Sequence, residues 1–145
     1  MNREWLGSVI VVCFFITMGL TLPAAAYDSG VTVGTVLKST SAVNGQPHRY
    51  LKTNRPEVTV AIVEIAPGAE TGWHLHTVPV YAYVLEGTLK VLLDGGRAYT
   101  YEKGQAIVEV LDTAHNGQNV GQGKVRLIVF YTGEEGRPNA VRVTR

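Results

Sequence analysis

Cysteine is almost missing from this chain of 145 residues: Cys13 is the single one, and it sits inside an N-terminal apolar stretch. A disulfide framework is therefore excluded. Charge of one sign is lacking too, with 13 basic against 12 acidic side chains. That balance leaves no basic face for nucleic acid and no polybasic face for a membrane. Beyond the N-terminal stretch no segment carries apolar residues at a 3.6-residue period, which argues against a helical domain. Internal repeats, low-complexity tracts and linkers are absent as well.

The first 26 residues read as a leader. Arg3 supplies a short basic region, Leu6 to Leu20 an apolar core, and Ala24-Ala25-Ala26 a small-residue cleavage site. This is the three-part pattern of a secretory signal peptide, cut between Ala26 and Tyr27. The rival reading is an uncleaved membrane anchor. Gly7, Ser8, Thr17 and Gly19 break the apolar run, leaving it at the short end of the roughly 20 residues a span requires. No small residue precedes Cys13, which argues against a lipid there. The expectation is an exported protein, periplasmic or extracellular. Membrane attachment follows only if the leader is retained.

Cleavage leaves the 119 residues from Tyr27 to Arg145, the size of one domain, with no cysteine. Such a domain must depend on its core. β-Branched runs separated by Gly, Asp and Asn turns supply one in the form of short strands. They are read at Val31–Lys38, Val58–Ile65, Val80–Leu85, Thr88–Leu93, Ala98–Tyr101, Ala106–Leu111, His115–Val120 and Val125–Tyr131. Glu86-Gly87 is expected to join Val80–Leu85 to Thr88–Leu93 as a hairpin, and Asp94-Gly95-Gly96 to turn the chain into the next strand. Gly133 to Asn139 reads as a polar, turn-rich tail. The fold class is all-β.

Four histidines are present, and three of them fall in a pattern. His74 and His76 are one residue apart after a glycine-rich loop, and in a strand residues i and i+2 share a face. His115 opens another strand-like segment some forty residues later. Three imidazoles converging from two strands suffice to hold a divalent transition metal. His48 stands apart and is read as an ordinary hydrogen-bonded residue.

These residues resemble the cupin superfamily. Its first motif runs Gly, five residues, His-x-His, three or four residues, Glu, six residues, Gly. Gly68, His74, His76 and Gly87 fit that frame. The second runs Gly, five residues, Pro-x-Gly, two residues, His, three residues, Asn, and Gly104, His115 and Asn119 match it, with Val110 and Asp112 in the Pro and Gly slots. The resemblance covers Val58 to Tyr131. It implies a single-domain cupin jelly-roll β-barrel over residues 27–145, with His74, His76 and His115 as metal ligands. The fourth ligand does not carry over, because the Glu slot falls on Val80. Tyr81 is one residue away, but strand parity turns it to the opposite face.

The expected centre is therefore three histidines and water around one divalent ion: Fe, Mn, Ni, Cu or Zn. Val80, Ala82 and Val84 are expected to line an apolar pocket beside it, for a small organic molecule with an oxygen chelating group. Glu70 is a candidate general base if its loop folds over the mouth, and Tyr83 a candidate substrate contact; their plainer readings are a solvated turn residue and a wall aromatic. Trp73 is read as a core or wall aromatic in the same way. Asn119 and Glu109 are candidates for orienting an imidazole. The resemblance favours an oxygenase of the quercetin-dioxygenase-like kind. A non-catalytic carrier or sensor of metal or small ligand, and a zinc-dependent hydrolase, stand beside it. Homodimerisation is implied by the resemblance alone.

Overall fold

The computed structural model describes residues 28–144, so the leader and its cleavage site lie outside the described residues. Residues 28–33 belong to a unit of their own, in which a turn brings the Val31 amide to the Asp28 carbonyl at 2.9 Å. The domain considered below begins at Gly34.

No α-helix occurs among the described residues, and none of their segments is a helix long and apolar enough to cross a membrane. The described residues form nine strands: β1 (Pro56–Ile65), β2 (His74–His76), β3 (Val80–Glu86), β4 (Thr88–Leu93), β5 (Ala98–Glu102), β6 (Ala106–Val108), β7 (His115–Asn119), β8 (Val125–Glu134) and β9 (Ala140–Arg142). They form two antiparallel sheets, a four-stranded one in the order β1-β8-β3-β6 and a five-stranded one in the order β5-β4-β7-β2-β9. Alternation decides what each strand buries. Val80, Ala82 and Val84 of β3, Leu89, Val91 and Leu93 of β4, and Val125, Leu127 and Val129 of β8 all turn into one core.

Three sequence expectations change. Val31–Lys38 is not a strand but an exposed irregular segment, because β-branched residues form a strand only where a partner strand accepts their hydrogen bonds. β3 and β4 are not a hairpin. β3 pairs with β8 and β6, while β4 pairs with β5 and β7, so Glu86-Gly87 carries the chain from one sheet to the other. Gly87 makes this corner with φ of +81°, and a Cβ there would stand 2.5 Å from the Lys124 carbonyl oxygen. Of the expected tail, Gly133 and Glu134 belong to β8 while 135–139 form the turn and loop expected; beyond it β9 pairs with β2, setting Arg142 opposite His74.

A candidate metal centre between the sheets

His74 and His76 occupy the two ends of β2, and both turn toward the space between the sheets. His115 opens β7, directly opposite His74 in the register. His115 and His76 keep 2 % and 4 % of their surface exposed, and His74 is half-buried. One ring nitrogen from each histidine lies within 4.8 Å of the others. The ring centroids are 4.3 to 5.1 Å apart.

The orientation of the rings is set from behind. Nδ1 of His74 faces the Gly72 carbonyl at 2.8 Å, Nδ1 of His115 the Thr113 carbonyl at 2.9 Å, and Nδ1 of His76 the Asn139 carbonyl at 3.1 Å. A carbonyl oxygen only accepts, so each Nδ1 is the donor and each neutral ring keeps its lone pair at Nε2. This is the arrangement by which backbone carbonyls fix metal-binding imidazoles. His115 Nε2 is buried without a hydrogen-bond partner, a costly situation unless the lone pair serves a ligand. The three histidines fit a transition metal.

A carboxylate completes the inner surface. Glu109 follows β6, and its amide donates to the Val80 carbonyl at 3.0 Å, which continues the β3–β6 ladder and sets Glu109 opposite Val80. Its Oε2 reaches 3.3 Å from His115 Nε2 and 3.5 Å from His76 Nε2, with 12 % of the side chain exposed. With the His115 proton on Nδ1, the Nε2 lone pair and the carboxylate oxygen face each other as two acceptors, so His115 Nε2 remains without a hydrogen-bond partner. Burial alone would raise the Glu109 pKa; the His115 and His76 rings outweigh it and hold the group well below the usual carboxylate range. In His115 burial opposes the charged form and Glu109 more than compensates, so its pKa rises. His74 is shifted down, mainly by burial.

The cavity in front of these groups measures about 60 Å³. Val63, Ile65, Leu127, Val129 and Tyr131 from one sheet and Leu89 and Val91 from the other make its walls. Val80, Ala82 and Val84 are buried but do not line it, a correction to the sequence reading: β3 fills the core while β1, β4 and β8 enclose the cavity. Tyr83 lies on the other face of β3, between Ala106 and Ile128, and is not a cavity residue. Glu70 does not fold over the mouth. Its Oε2 accepts from Asn116 at 2.9 Å and Gln118 at 3.1 Å, on the face of β7 away from the histidines, and these bonds lower its pKa. Trp73 is half-buried, and its carbonyl accepts the Val143 amide at 2.9 Å. His48 bonds Tyr81 Oη at 2.9 Å, outside the site as expected. Asn119 touches no imidazole; it donates to the Ile65 and Gly123 carbonyls and pins the β7–β8 turn.

Sequence reasoning missed Tyr131, whose ring meets His76 edge-on at 5.8 Å, and the Asn139 carbonyl behind His76. For Glu109 the parity of 109 with 115 allows an inward position, but the intervening turn weakens that argument, and the role read from sequence is orienting an imidazole. The signal that finds Glu109 is the β3–β6 register: once Tyr81 faces Val108, Glu109 must face Val80.

Two antiparallel sheets around an inward histidine cluster make this a small β protein with three imidazoles placed so that they could hold a metal between the sheets. The particular family follows from sequence: residues 61–131 match the cupin domain model, and the chain belongs to the cupin superfamily. No curated protein sequence matches it. Among solved structures, it is similar to the polyketide cyclase RemF from Streptomyces resistomycificus, with 27% identity and a TM-score of 0.52, over 61% of this chain and 61% of that one. It is also similar to an oxalate decarboxylase from Lactobacillus farciminis in its formate complex, with 22% identity, a TM-score of 0.52, and 59% and 26% covered. A third is the DMSP lyase DddQ from Ruegeria pomeroyi, with 15% identity, a TM-score of 0.52, and 59% and 43% covered. The last two likenesses show the fold alone. The chain spans between about a quarter and three fifths of the length of these structures.

Proposed function

We propose that this protein is an exported cupin that holds one divalent transition metal on His74, His76 and His115 and acts on a small oxygen-chelating organic molecule. The observation that carries the reading is the shared polarity of the three rings: every Nδ1 is tied to a carbonyl, so every Nε2 lone pair is presented inward. A divalent ion held there would polarise the oxygen atoms of a chelating ligand. Ile65, Leu89, Val91, Leu127 and Val129 exclude water and favour a compact apolar body behind the chelating atoms. Burial, and then Glu109, raise the Tyr131 pKa, so the phenol stays protonated and can donate to a ligand oxygen. A cavity of about 60 Å³ is far below the roughly 300–1,000 Å³ of sites for drug-sized ligands. A dicarbonyl or hydroxy acid of a few non-hydrogen atoms suits it better than a flavonol.

The reaction class we favour is oxygenation, with dioxygen as co-substrate and both its atoms delivered to the product. The test is oxygen uptake by protein loaded anaerobically with Fe(II) or Ni(II), against small β-diketones and catechols. Uptake with a mass-shifted product supports the reading, and a metal-loaded protein that consumes no oxygen with any of them sinks it. A non-catalytic binding protein is the second reading, favoured by the engagement of Glu70 away from the cavity. Recovery of a tightly bound ligand unchanged would select it. A homodimer is also proposed: Val58, Val60, Ile62 and Phe130 leave an apolar patch on the outward face of the four-stranded sheet. Light scattering on the purified protein decides that point.

A further inference from the structure

The first cupin motif in this chain has Val80 where the family frame places a glutamate, and a three-histidine centre would leave the charge of a divalent ion uncompensated. The structure assigns that carboxylate to Glu109, the residue directly across the β3–β6 ladder from Val80, as a fourth protein ligand beside His74, His76 and His115. This rests on the metal-binding reading above and deepens it.

Register comes first. Tyr81 faces Val108, and the Glu109 amide bonds the Val80 carbonyl, so positions 80 and 109 are neighbours on one sheet face. Val80 points into the core, and Glu109 points with it. The Cβ atoms of such a pair stand side by side, so a carboxylate moved to position 80 starts from the same sheet face as Glu109.

Distance comes second. Metal–nitrogen and metal–oxygen bonds of about 2.0–2.2 Å place neighbouring ligand atoms of a tetrahedral centre about 3.4 Å apart. Glu109 Oε2 stands 3.3 and 3.5 Å from two Nε2 atoms, the spacing of ligands that share one ion. Chemistry comes third. The carbonyls behind the rings leave Nε2 as a lone pair, so the carboxylate oxygen and the His115 lone pair stand 3.3 Å apart as two acceptors with no proton donor between them. Lone pairs and a carboxylate oxygen converging in this way are the donor set of a cation.

The test is metal binding, read without turnover. Apo protein would be titrated with Zn(II) against a chelating dye and with Co(II) by its visible spectrum, for wild type, Glu109→Gln and the exchange variant Val80→Glu/Glu109→Val. One metal per chain is expected in the wild type. Glu109→Gln should bind Zn(II) at least about tenfold more weakly and change the Co(II) spectrum, and the exchange variant should recover both. A positioning or purely structural role would not be restored by moving the carboxylate across the ladder. Wild type that binds metal while Glu109→Gln matches it in affinity and spectrum overturns this inference alone. Wild type that binds neither metal overturns the metal-binding reading and the inference with it.

Discussion

The two sides of the cavity are built by different rules. On the histidine side the anchors are mostly local: His74 is held by the carbonyl two residues before it, and His115 likewise by Thr113. On the carboxylate side nothing is local. Glu109 reaches the same space because β6 lies antiparallel to β3 and its register sets residue 109 against residue 80. His76 lies between the two cases, adjacent to His74 in sequence yet anchored by Asn139, 63 residues away. A metal centre can thus keep its histidine motifs in plain view while its remaining supports are distributed through the tertiary structure.

Breaking the local side should have the largest effect. His115→Ala removes a ring with 2 % exposure from the middle of the cluster. Elemental mass spectrometry should fall from near one metal per chain to near none, and the thermal shift on adding metal should vanish. A variant that retains stoichiometric metal would refute the role of His115.

The corner that brings the two sheets together comes next. Gly87→Ala combines a left-handed backbone with a Cβ only 2.5 Å from the Lys124 carbonyl. A loss of about 2–4 kcal/mol in urea unfolding is expected, with metal stoichiometry preserved wherever the domain is folded. An unchanged urea midpoint would contradict the geometry.

Removing residues 139–145 tests the long-range anchor, since it deletes β9 and the carbonyl behind His76. Metal affinity should drop about 10- to 100-fold, the usual cost of losing an outer partner. Gly72 and Thr113 still hold the other two rings. Equal affinity in a folded truncation would show that the Asn139 bond contributes nothing.

The smallest effect is a pH dependence of the metal-free domain. Glu109 is shifted down from 4.5, so its contribution to stability is complete above that pH and is lost as pH falls. His115 is shifted up from 6.5, so its contribution is complete below that pH and is lost as pH rises through its folded value. Urea midpoints of apo protein should therefore peak between about pH 4.5 and 6.5. Bound metal, which keeps the imidazoles neutral, should remove the alkaline decline. Parallel pH curves with and without metal would count against the coupling of these groups.

Much of the fold was legible in advance. The Val58–Ile65, Thr88–Leu93, Ala98–Tyr101 and Val125–Tyr131 segments appear as strands because their alternation fits a half-buried sheet and Gly or Asp ends them. The partners of those strands were not legible. The Glu86-Gly87 turn looks like a hairpin locally, and only the pairing of β3 with β6 and β8 and of β4 with β5 and β7 makes it a crossing between sheets. β9 is three residues long and exposed, so it carries no apolar alternation to read; it exists because β2 offers an edge.

By itself, then, the amino-acid sequence determined the all-β class and the three histidines, together with the valine in place of a glutamate. Side-chain alternation and spacing along a strand are properties of the chain, and they survive without knowledge of its neighbours. Only the tertiary structure decided that Tyr131 borders the cavity, that Glu70 turns away from it, and that a carboxylate faces the histidines after all. Those outcomes depend on which strands pair and in what register, and a register is decided by the burial of both partners at once.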